Sequence, residues 1–594
     1  MIGDRRFFLD VRRSATGVAW THRLSERQEM AALAIAQGHG VPDIVARVLA
    51  GRGVAALEAE RFLDPTIRDL LPNPASLTDM EKAAARIADA VVRREKVAIF
   101  GDYDVDGAAS SALLKRFLAH YSVPSEIYIP DRIFEGYGPN PDAMRELISR
   151  GASLIVTVDC GTNSAASVEA ANAAGADVVV LDHHQVGGAL PPATAVVNPN
   201  REDDLSGQGH LCAAGVVFLT LVQTAKLLRE RLPDRQAPNL LSLLDLVALA
   251  TVCDVVPLTG VNRAFVVKGL QVVRQQGNPG LAALIRAARI GEPVGAFHLA
   301  FLIGPRINAG GRIGDAALGS RLLATEDPAE AQAISETLDR LNQERQTMEL
   351  EMLAAARAEA DAELASGNGP AIVVTASEAW HPGIVGLIAS RLKDHSRRPA
   401  FAIAFNANGV GTGSGRSVPG FDLGRLVREA AESGLIVKGG GHGMAAGITV
   451  ERAKLGALRA FFEERAAAEV FRLRDEESLP IDGALAAEGA TLDLLDALEK
   501  AGPYGSGHVA PLFVLPRHRL VDVRPVGTNH IRADLQSESG GRVQSIAFRA
   551  VDTALGDFLL RNRGNVLHVA GSLSGNYWNG SRTVQFRISD ATVA

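Results

Sequence analysis

The stretch Lys96–His120, KVAIFGDYDVDGAASSALLKRFLAH, decides the fold. A short apolar run, VAIF, enters a turn crowded with Asp102, Asp104 and Asp106, and an amphipathic helical pattern follows at once. The same alternation then repeats as EIYIP with DAMRELISRG, LIVTV with SAASVEAANAAG, and finally VVVL. Continuous apolar strands separated by helices predict a doubly wound parallel sheet buried on both faces. Ligands of such sheets bind beyond the carboxyl ends of the strands.

That is where the acids lie. LIVTV runs into Asp159-Cys160-Gly161, VVVL into Asp182-His183-His184, and the apolar segment TVCDVVPL carries Asp254. At an effective dielectric near 20, two like charges about 4 Å apart repel by roughly 4 kcal/mol, so clustered acids either protonate or take up divalent cations. Carboxylates with one or two imidazoles suit Mn²⁺ or Mg²⁺, and acids from several elements can hold two ions. Cys160 and Cys253 raise the question of zinc, but neither has a cysteine partner at ligand spacing. In the pair His183-His184, one imidazole can bind metal while the other faces substrate, with Asp182 orienting a ring from behind.

At roughly 150 residues per domain, a chain of 594 residues predicts about four units and excludes a lone small binding module. With 47% hydrophobic and 22% charged residues it excludes wholesale disorder and fibrous repeats. A net charge of −7, from 61 basic and 68 acidic residues, does not advertise a nucleic-acid partner. It does not exclude one, because screening confines a basic groove's influence to about 10 Å. Three scattered cysteines predict a reducing compartment, and no secretory signal is visible in MIGDRRFFLDVRRSATG, so a cytoplasmic enzyme is expected. The apolar stretch Leu240–Leu258 contains Asp245 and Asp254, which predicts a soluble core helix and no membrane association.

Residues 1–90 are expected to form loops and short helices packing on the first α/β domain, which spans 91–320. A connecting helix over 321–368 is signalled by Asp327 as N-cap and Pro328 at the first helical position. A second α/β unit covers 369–470, and short strand-like runs over 471–594 predict a small β-barrel.

Together DYDVDG, VDCG, DHH and the later Asp254 resemble the four motifs of the DHH phosphoesterase superfamily. More narrowly, FGDYDVDG, IPDRIFEGYG, GPRINAGGRIGDA, WHPGIVGLIASRL, GSGRS, GGGHGMAAG and NYWNGSRTVQFRISD are similar to the RecJ family of single-strand-specific 5′-to-3′ exonucleases over nearly the full chain. The resemblance implies a DHH domain joined by a long helix to a DHHA1 domain, then an oligonucleotide-binding barrel. It implies two divalent cations, Mn²⁺ preferred or Mg²⁺, with Asp159 bridging them. Asp104, helped by Asp102, would hold one; Asp106, His183 and Asp254 would hold the other. His184 would face the scissile phosphate. Hydrolysis without a covalent protein intermediate is the expected reaction.

Outside the metal cluster, Arg132, Arg306, Asn308 and Arg312, with Ser414-Gly415-Arg416, are candidate phosphate contacts, positioning the chain without reading bases. The resemblance assigns Arg132, Ser414 and Arg416 to the terminal 5′-phosphate. Gly440, Gly441 and His442 predict a backbone loop able to cradle an anion. His381 either lines the site or caps the following helix. Tyr103, Phe134 and Tyr137 are aromatic candidates for base stacking, with Trp578 and Arg582 in the last domain. One departure from the family pattern is Pro503–Pro511, PYGSGHVAP, where His508 and Ala510 replace the amide and acid of a Gly-Asn-Pro-Glu-Pro ending.

The expected activity is processive degradation of single-stranded DNA from its 5′ end to mononucleotides, in recombination and repair. A monomer is expected, with single-strand-binding protein and a helicase as partners by family analogy. Two other readings compete: a phosphodiesterase of short oligoribonucleotides or cyclic dinucleotides, and a non-catalytic replication scaffold. The N-terminal segment and barrel count against the first, the complete set of acids against the second.

Overall fold

A computed structural model describes residues 6–131, 135–365, 368–578 and 580–594, the side chain of Trp578 excepted. The first strand, β1 (Ala19–His22), pairs in parallel with β12 (Ser478–Ile481), so the chain's first segment is tied to its last domain. Helices Glu26–His39 and Asp43–Gly51 bury Ile35, Val45 and Leu49 in one core with Phe513, Leu520 and Ile531 of the barrel. Buried Asp482 fixes the attachment by ion pairs to Arg23 and Arg52. Packing on the first α/β domain holds only for the later part of this segment, where the Phe62 carbonyl accepts from Arg263 and Leu71, Leu77 and helix Met80–Arg93 join that domain's core. The reason is the apolar faces of the two earlier helices, which cover barrel surface.

The first α/β domain is built on five parallel strands, β2 (Val97–Gly101), β3 (Ser125–Tyr128), β4 (Leu154–Val158), β5 (Asp177–Leu181) and β6 (Ala195–Val197), in the order β3-β2-β4-β5-β6. Both faces of β2 and β4 are buried. Helices Val105–His120, Ala213–Arg231 and Leu244–Cys253 cover one face, while Pro141–Ser149 and Ala165–Ala173 cover the other. Leu244–Cys253 is a buried core helix, and among the described residues no helix is long and apolar enough to cross a membrane.

The connecting helix runs from Pro328 to Leu364, and its Asp327 cap accepts a hydrogen bond from Ala329 N–H at 2.8 Å. Beyond it, β7 (Val373–Ser377), β8 (Ala400–Phe405), β9 (Val410–Arg416), β10 (Lys438–His442) and β11 (Ala445–Glu451) form a mixed sheet in the order β10-β11-β9-β8-β7. The glycine run expected as a loop is thus the edge strand β10, paired antiparallel with β11. A side chain on Gly441 would run into Ala446, and one on Gly424 into the Gly441 carbonyl, so the glycines serve close strand and helix packing.

After β12 and the short β13 (Gly483–Ala484), strands β14 (Phe513–Val526), β15 (His530–Gln536), β16 (Arg542–Ala547), β17 (Val566–Trp578) and β18 (Ser581–Val593) close into a barrel through the β14–β17 pairing. Closure removes the unpaired edges that an open sheet of this length would expose.

Candidate metal centre

Four chain segments deliver the acids and imidazoles to the carboxyl end of the parallel sheet. Asp102 follows β2 directly. Asp104 caps helix Val105–His120, accepting from the amides of Asp106 at 2.9 Å and Gly107 at 3.1 Å. Gly107 is required there, since a Cβ would collide with the Asp102 backbone. Asp106, 1% exposed, receives the amides of Ala213 at 2.6 Å and Ala214 at 2.8 Å. Those are the first amides of helix Ala213–Arg231, whose positive end favours a carboxylate. Asp159 leaves β4 in the left-handed region, φ 62°, and Asp254 follows helix Leu244–Cys253.

His183 Nδ1 lies 3.1 Å from the Leu211 carbonyl, a partner that requires N–H there and turns Nε2 to the other side. Nε2 points at the acids: 3.3 Å to Asp159 Oδ1, 3.7 Å to Asp254 Oδ2 and 3.8 Å to Asp106 Oδ2. The ligand atoms form three overlapping sets, each within 4.8 Å: Asp102, Asp104 and Asp159; Asp106, His183 and Asp254; Asp159, His183 and His184. Asp159 belongs to the first and third sets, and His183 to the second and third.

Burial, then the neighbouring acids, holds Asp159 far above the usual carboxylate range and raises Asp106; the same causes push Asp254 up to about 9. Asp159 Oδ1 and Asp254 Oδ2 are buried and accept no hydrogen bond. Crowded acids with orphaned oxygens fit divalent cations, and an oxygen-rich set with imidazole fits Mn²⁺ or Mg²⁺. The cysteines do not take part: burial raises all three thiols, which disfavours the thiolate that zinc needs.

Asp182 plays the orienting part. Its Oδ1 lies 2.8 Å from His184 Nδ1 and accepts the His183 amide at 2.8 Å, while Oδ2 accepts the Thr162 amide at 3.0 Å. Burial works to raise Asp182, yet the bonds from His184 and Thr162 bring it well below the ordinary value. Burial works to lower His184, and its Asp182 partner outweighs that, raising it. Tyr137 stands beside this pair, with its hydroxyl 3.1 Å from the Asp159 carbonyl and 3.2 Å from the His184 ring nitrogens. Tyr103 meets the Tyr137 ring edge-on at 6.5 Å.

Two residues escaped the sequence reading. Asn198, fully buried after β6, donates to the His184 carbonyl at 2.8 Å and the Thr162 hydroxyl at 2.9 Å. Asn200 donates to the His183 carbonyl at 2.5 Å. The only signal was two asparagines flanking Pro199 just past an apolar run.

The remaining candidates divide. Helix Gly304–Ile313 spans the two α/β domains: Gly311 packs on the Tyr103 carbonyl, and Arg312 Nη1 donates to the Gly383 carbonyl at 3.0 Å. Arg306 turns to the connecting helix, 2.9 Å from Asp339, and Asn308 is half-buried. His381 Nδ1 accepts the Gly383 amide at 3.1 Å, which favours its turn-capping reading. Ser414 and Arg416 meet on β9, with Arg416 Nη1 donating to Ser414 Oγ at 2.9 Å, beside Gly386 of helix Val385–Ser396. Gly440, Gly441 and His442 lie exposed on β10. Arg582 is held at 2.6 Å by both Asp496 and Glu499. Arg132, Phe134 and the Trp578 side chain lie outside the described residues.

Family models match three stretches of the chain: the DHH family N-terminal domain over 96–251, the DHHA1 domain over 368–468 and the RecJ OB domain over 481–590. The single-stranded-DNA-specific exonuclease RecJ of Escherichia coli (strain K12) is 35% identical over 93% of this chain and 96% of its own. That of Bacillus subtilis (strain 168) is 32% identical over 93% of this chain and 68% of its own. The crystal structure of RecJ in complex with Mn²⁺ from Thermus thermophilus superposes with a TM-score of 0.78 at 31% identity, covering 96% of this chain and 78% of that one. The Mg²⁺ complex from the same organism gives 0.73 at 30% identity, covering 97% and 78%. With this sheet, this acid cluster and relatives matching along nearly the whole of this chain, the protein belongs to the RecJ family of single-stranded-DNA-specific exonucleases.

Proposed function

We propose that this protein is a metal-dependent exonuclease that hydrolyses single-stranded DNA from the 5′ end to mononucleotides, in recombination and repair. The carrying observation is the buried acid cluster in which Asp159 is common to two ligand sets, one with Asp102 and Asp104, the other with His183 and His184. Asp102, Asp104 and Asp159 would hold one divalent cation, Mn²⁺ or Mg²⁺; Asp106, His183 and Asp254 would hold the other. When bound, such a pair supplies an activated water and charge stabilisation for the leaving oxygen.

The chain's own groups do the rest. Helix amides fix Asp104 and Asp106, so these carboxylates need no reorganisation during turnover. His184, oriented by Asp182 at 2.8 Å, offers its ring to a non-bridging phosphate oxygen. Ser414 and Arg416 offer a hydroxyl and a guanidinium for the terminal 5′-phosphate, with Arg132 as a third group. Tyr137, over half exposed, offers a ring to a base. A narrow groove between the two α/β domains, which helix Gly304–Ile313 touches on both sides, would exclude a duplex. A monomer in a reducing cytoplasm, meeting single-strand-binding protein and a helicase, completes the reading.

Single-stranded and duplex DNA, each labelled at either end, test it in a Mn²⁺ titration. Release of labelled mononucleotide first from the 5′ end of the single strand is expected. Faster turnover of a dinucleotide than of a long strand would overturn it in favour of a short-substrate phosphodiesterase.

A further inference from the structure

Asp254 differs from Asp104 and Asp106 in how it is held. Asp104 and Asp106 are gripped by backbone amides, but Asp254 Oδ2 is buried and accepts no hydrogen bond. Its place therefore depends on its backbone. Upstream, that backbone is the end of a helix, with the Asp254 amide bonded to the Ala250 carbonyl at 2.9 Å. Downstream, Val255 sits at φ 61°, a conformation that is strained for a β-branched residue and persists only where the surroundings impose it. Val255 is 67% exposed, so its own side chain does not impose it.

The constraint comes from the terminal domain. The Leu258 amide donates to the Ser506 carbonyl at 2.8 Å. Gly507, at φ 67°, lies so close that a Cβ would stand 2.8 Å from Pro257 Cβ, and a Cβ on Gly505 would stand 2.8 Å from Leu258 Cδ1. Fully buried Asn262 holds the Pro257 carbonyl at 3.0 Å from the other side. The turn is itself braced, with Gly505 and His508 exchanging backbone bonds of 2.9 and 3.2 Å. His508, 1% exposed, lies 2.7 Å from the Ala501 carbonyl through Nε2, stacks on Tyr504 at 5.0 Å and meets the edge of Phe62 at 5.3 Å. Arg263 covers the other side of Phe62 at 4.0 Å and donates to the Phe62 and Lys500 carbonyls, each at 3.0 Å.

We propose that the turn Gly505–His508 of the terminal domain is a positioning element for Asp254, so that seating of that domain sets the metal affinity of the Asp106, His183 and Asp254 pocket. The inference rests on the metal-dependent reading above. It assigns the departure PYGSGHVAP a role: His508 fills the space between Tyr504 and Phe62 and keeps the turn pressed on Pro257 and Leu258.

The test is Mn²⁺ titration calorimetry on full-length, chelator-stripped protein, comparing the parent with Gly507→Ala and Gly505→Val. Strand binding by anisotropy and turnover against Mn²⁺ concentration are read in parallel. One Mn²⁺ binding event should weaken by about tenfold to a hundredfold, the range for support just outside a ligand shell. The other event and strand affinity should hold, and excess Mn²⁺ should restore turnover. The Cβ of Gly505→Val meets the Leu258 side chain, and this variant carries the test if Gly507→Ala does not fold. A folded variant with lowered melting temperature but parental Mn²⁺ affinity for both events would overturn the proposal. A parent protein that binds no Mn²⁺ would instead defeat the metal-dependent reading.

Discussion

His183 Nε2 lies 3.3 Å from Asp159 Oδ1, which joins the ends of two neighbouring strands, β4 and β5, in one pocket. The Leu211 carbonyl occupies Nδ1, so Nε2 is the nitrogen turned to Asp159, and the pair is arranged to share a cation.

Asp159→Asn should therefore cost catalysis far more than structure. Losing several kcal/mol of charge stabilisation corresponds to roughly a thousandfold fall in turnover. Single-strand affinity should survive, and the metal-free protein should melt no lower than the parent, because a buried carboxyl whose ionisation burial and the neighbouring acids oppose is gone. Turnover, anisotropy and thermal melting check the three parts.

The raised acids also set a pH dependence for the metal-free protein. Asp254 titrates near 9 when folded and near 4 when unfolded, so its neutral form is favoured by folding. The stability it contributes is present below about pH 4 and is lost as pH climbs toward 9. Melting in chelator should fall across that window, and Asp254→Asn should flatten the fall. Saturating Mn²⁺ should oppose it in the parent, since cations and protons compete for the same oxygens.

Asn198→Ala leaves the buried Thr162 hydroxyl and the His184 carbonyl without their donor. A stability loss of about 1–3 kcal/mol is expected. Turnover should drop about tenfold to a hundredfold as the imidazoles lose their orientation, with strand binding near the parent value. Denaturant unfolding and steady-state kinetics separate the two effects.

Arg416→Ala should slow hydrolysis of 5′-phosphorylated strands while Mn²⁺ uptake stays parental, because the guanidinium meets Ser414 on a strand of the second α/β domain, away from the acid cluster's own sheet. A strand with a 5′-hydroxyl should lose less. Equal kinetics on phosphorylated strands would remove Arg416 from the site.

The sheet and most of its acids were legible because both signals are local. VAIF, LIVTV and VVVL are buried on both faces, and each runs straight into its carboxylate. The Asp327 cap was equally local. What escaped depends on distant chain. Glycines 439–441 read as an anion-cradling loop, but β11 on one side and helix Leu423–Glu432 on the other make them a strand. The N-terminal helices look ready for any apolar surface, and only the β1–β12 pairing and the Asp482 ion pairs choose the barrel. Arg582 carried a nucleic-acid signal in its motif, yet Asp496 and Glu499 claim its guanidinium from a helix no pattern links to it. Asn198 and Asn200 act through their side-chain amides on carbonyls of the His pair, a relation that spacing does not encode.

The most direct measurement is anomalous scattering from a crystal of this protein soaked in Mn²⁺. Two peaks are predicted, one among Asp102, Asp104 and Asp159 and one among Asp106, His183 and Asp254, with Asp159 touching both. An empty cluster, or manganese bound elsewhere with these side chains turned apart, would contradict the account.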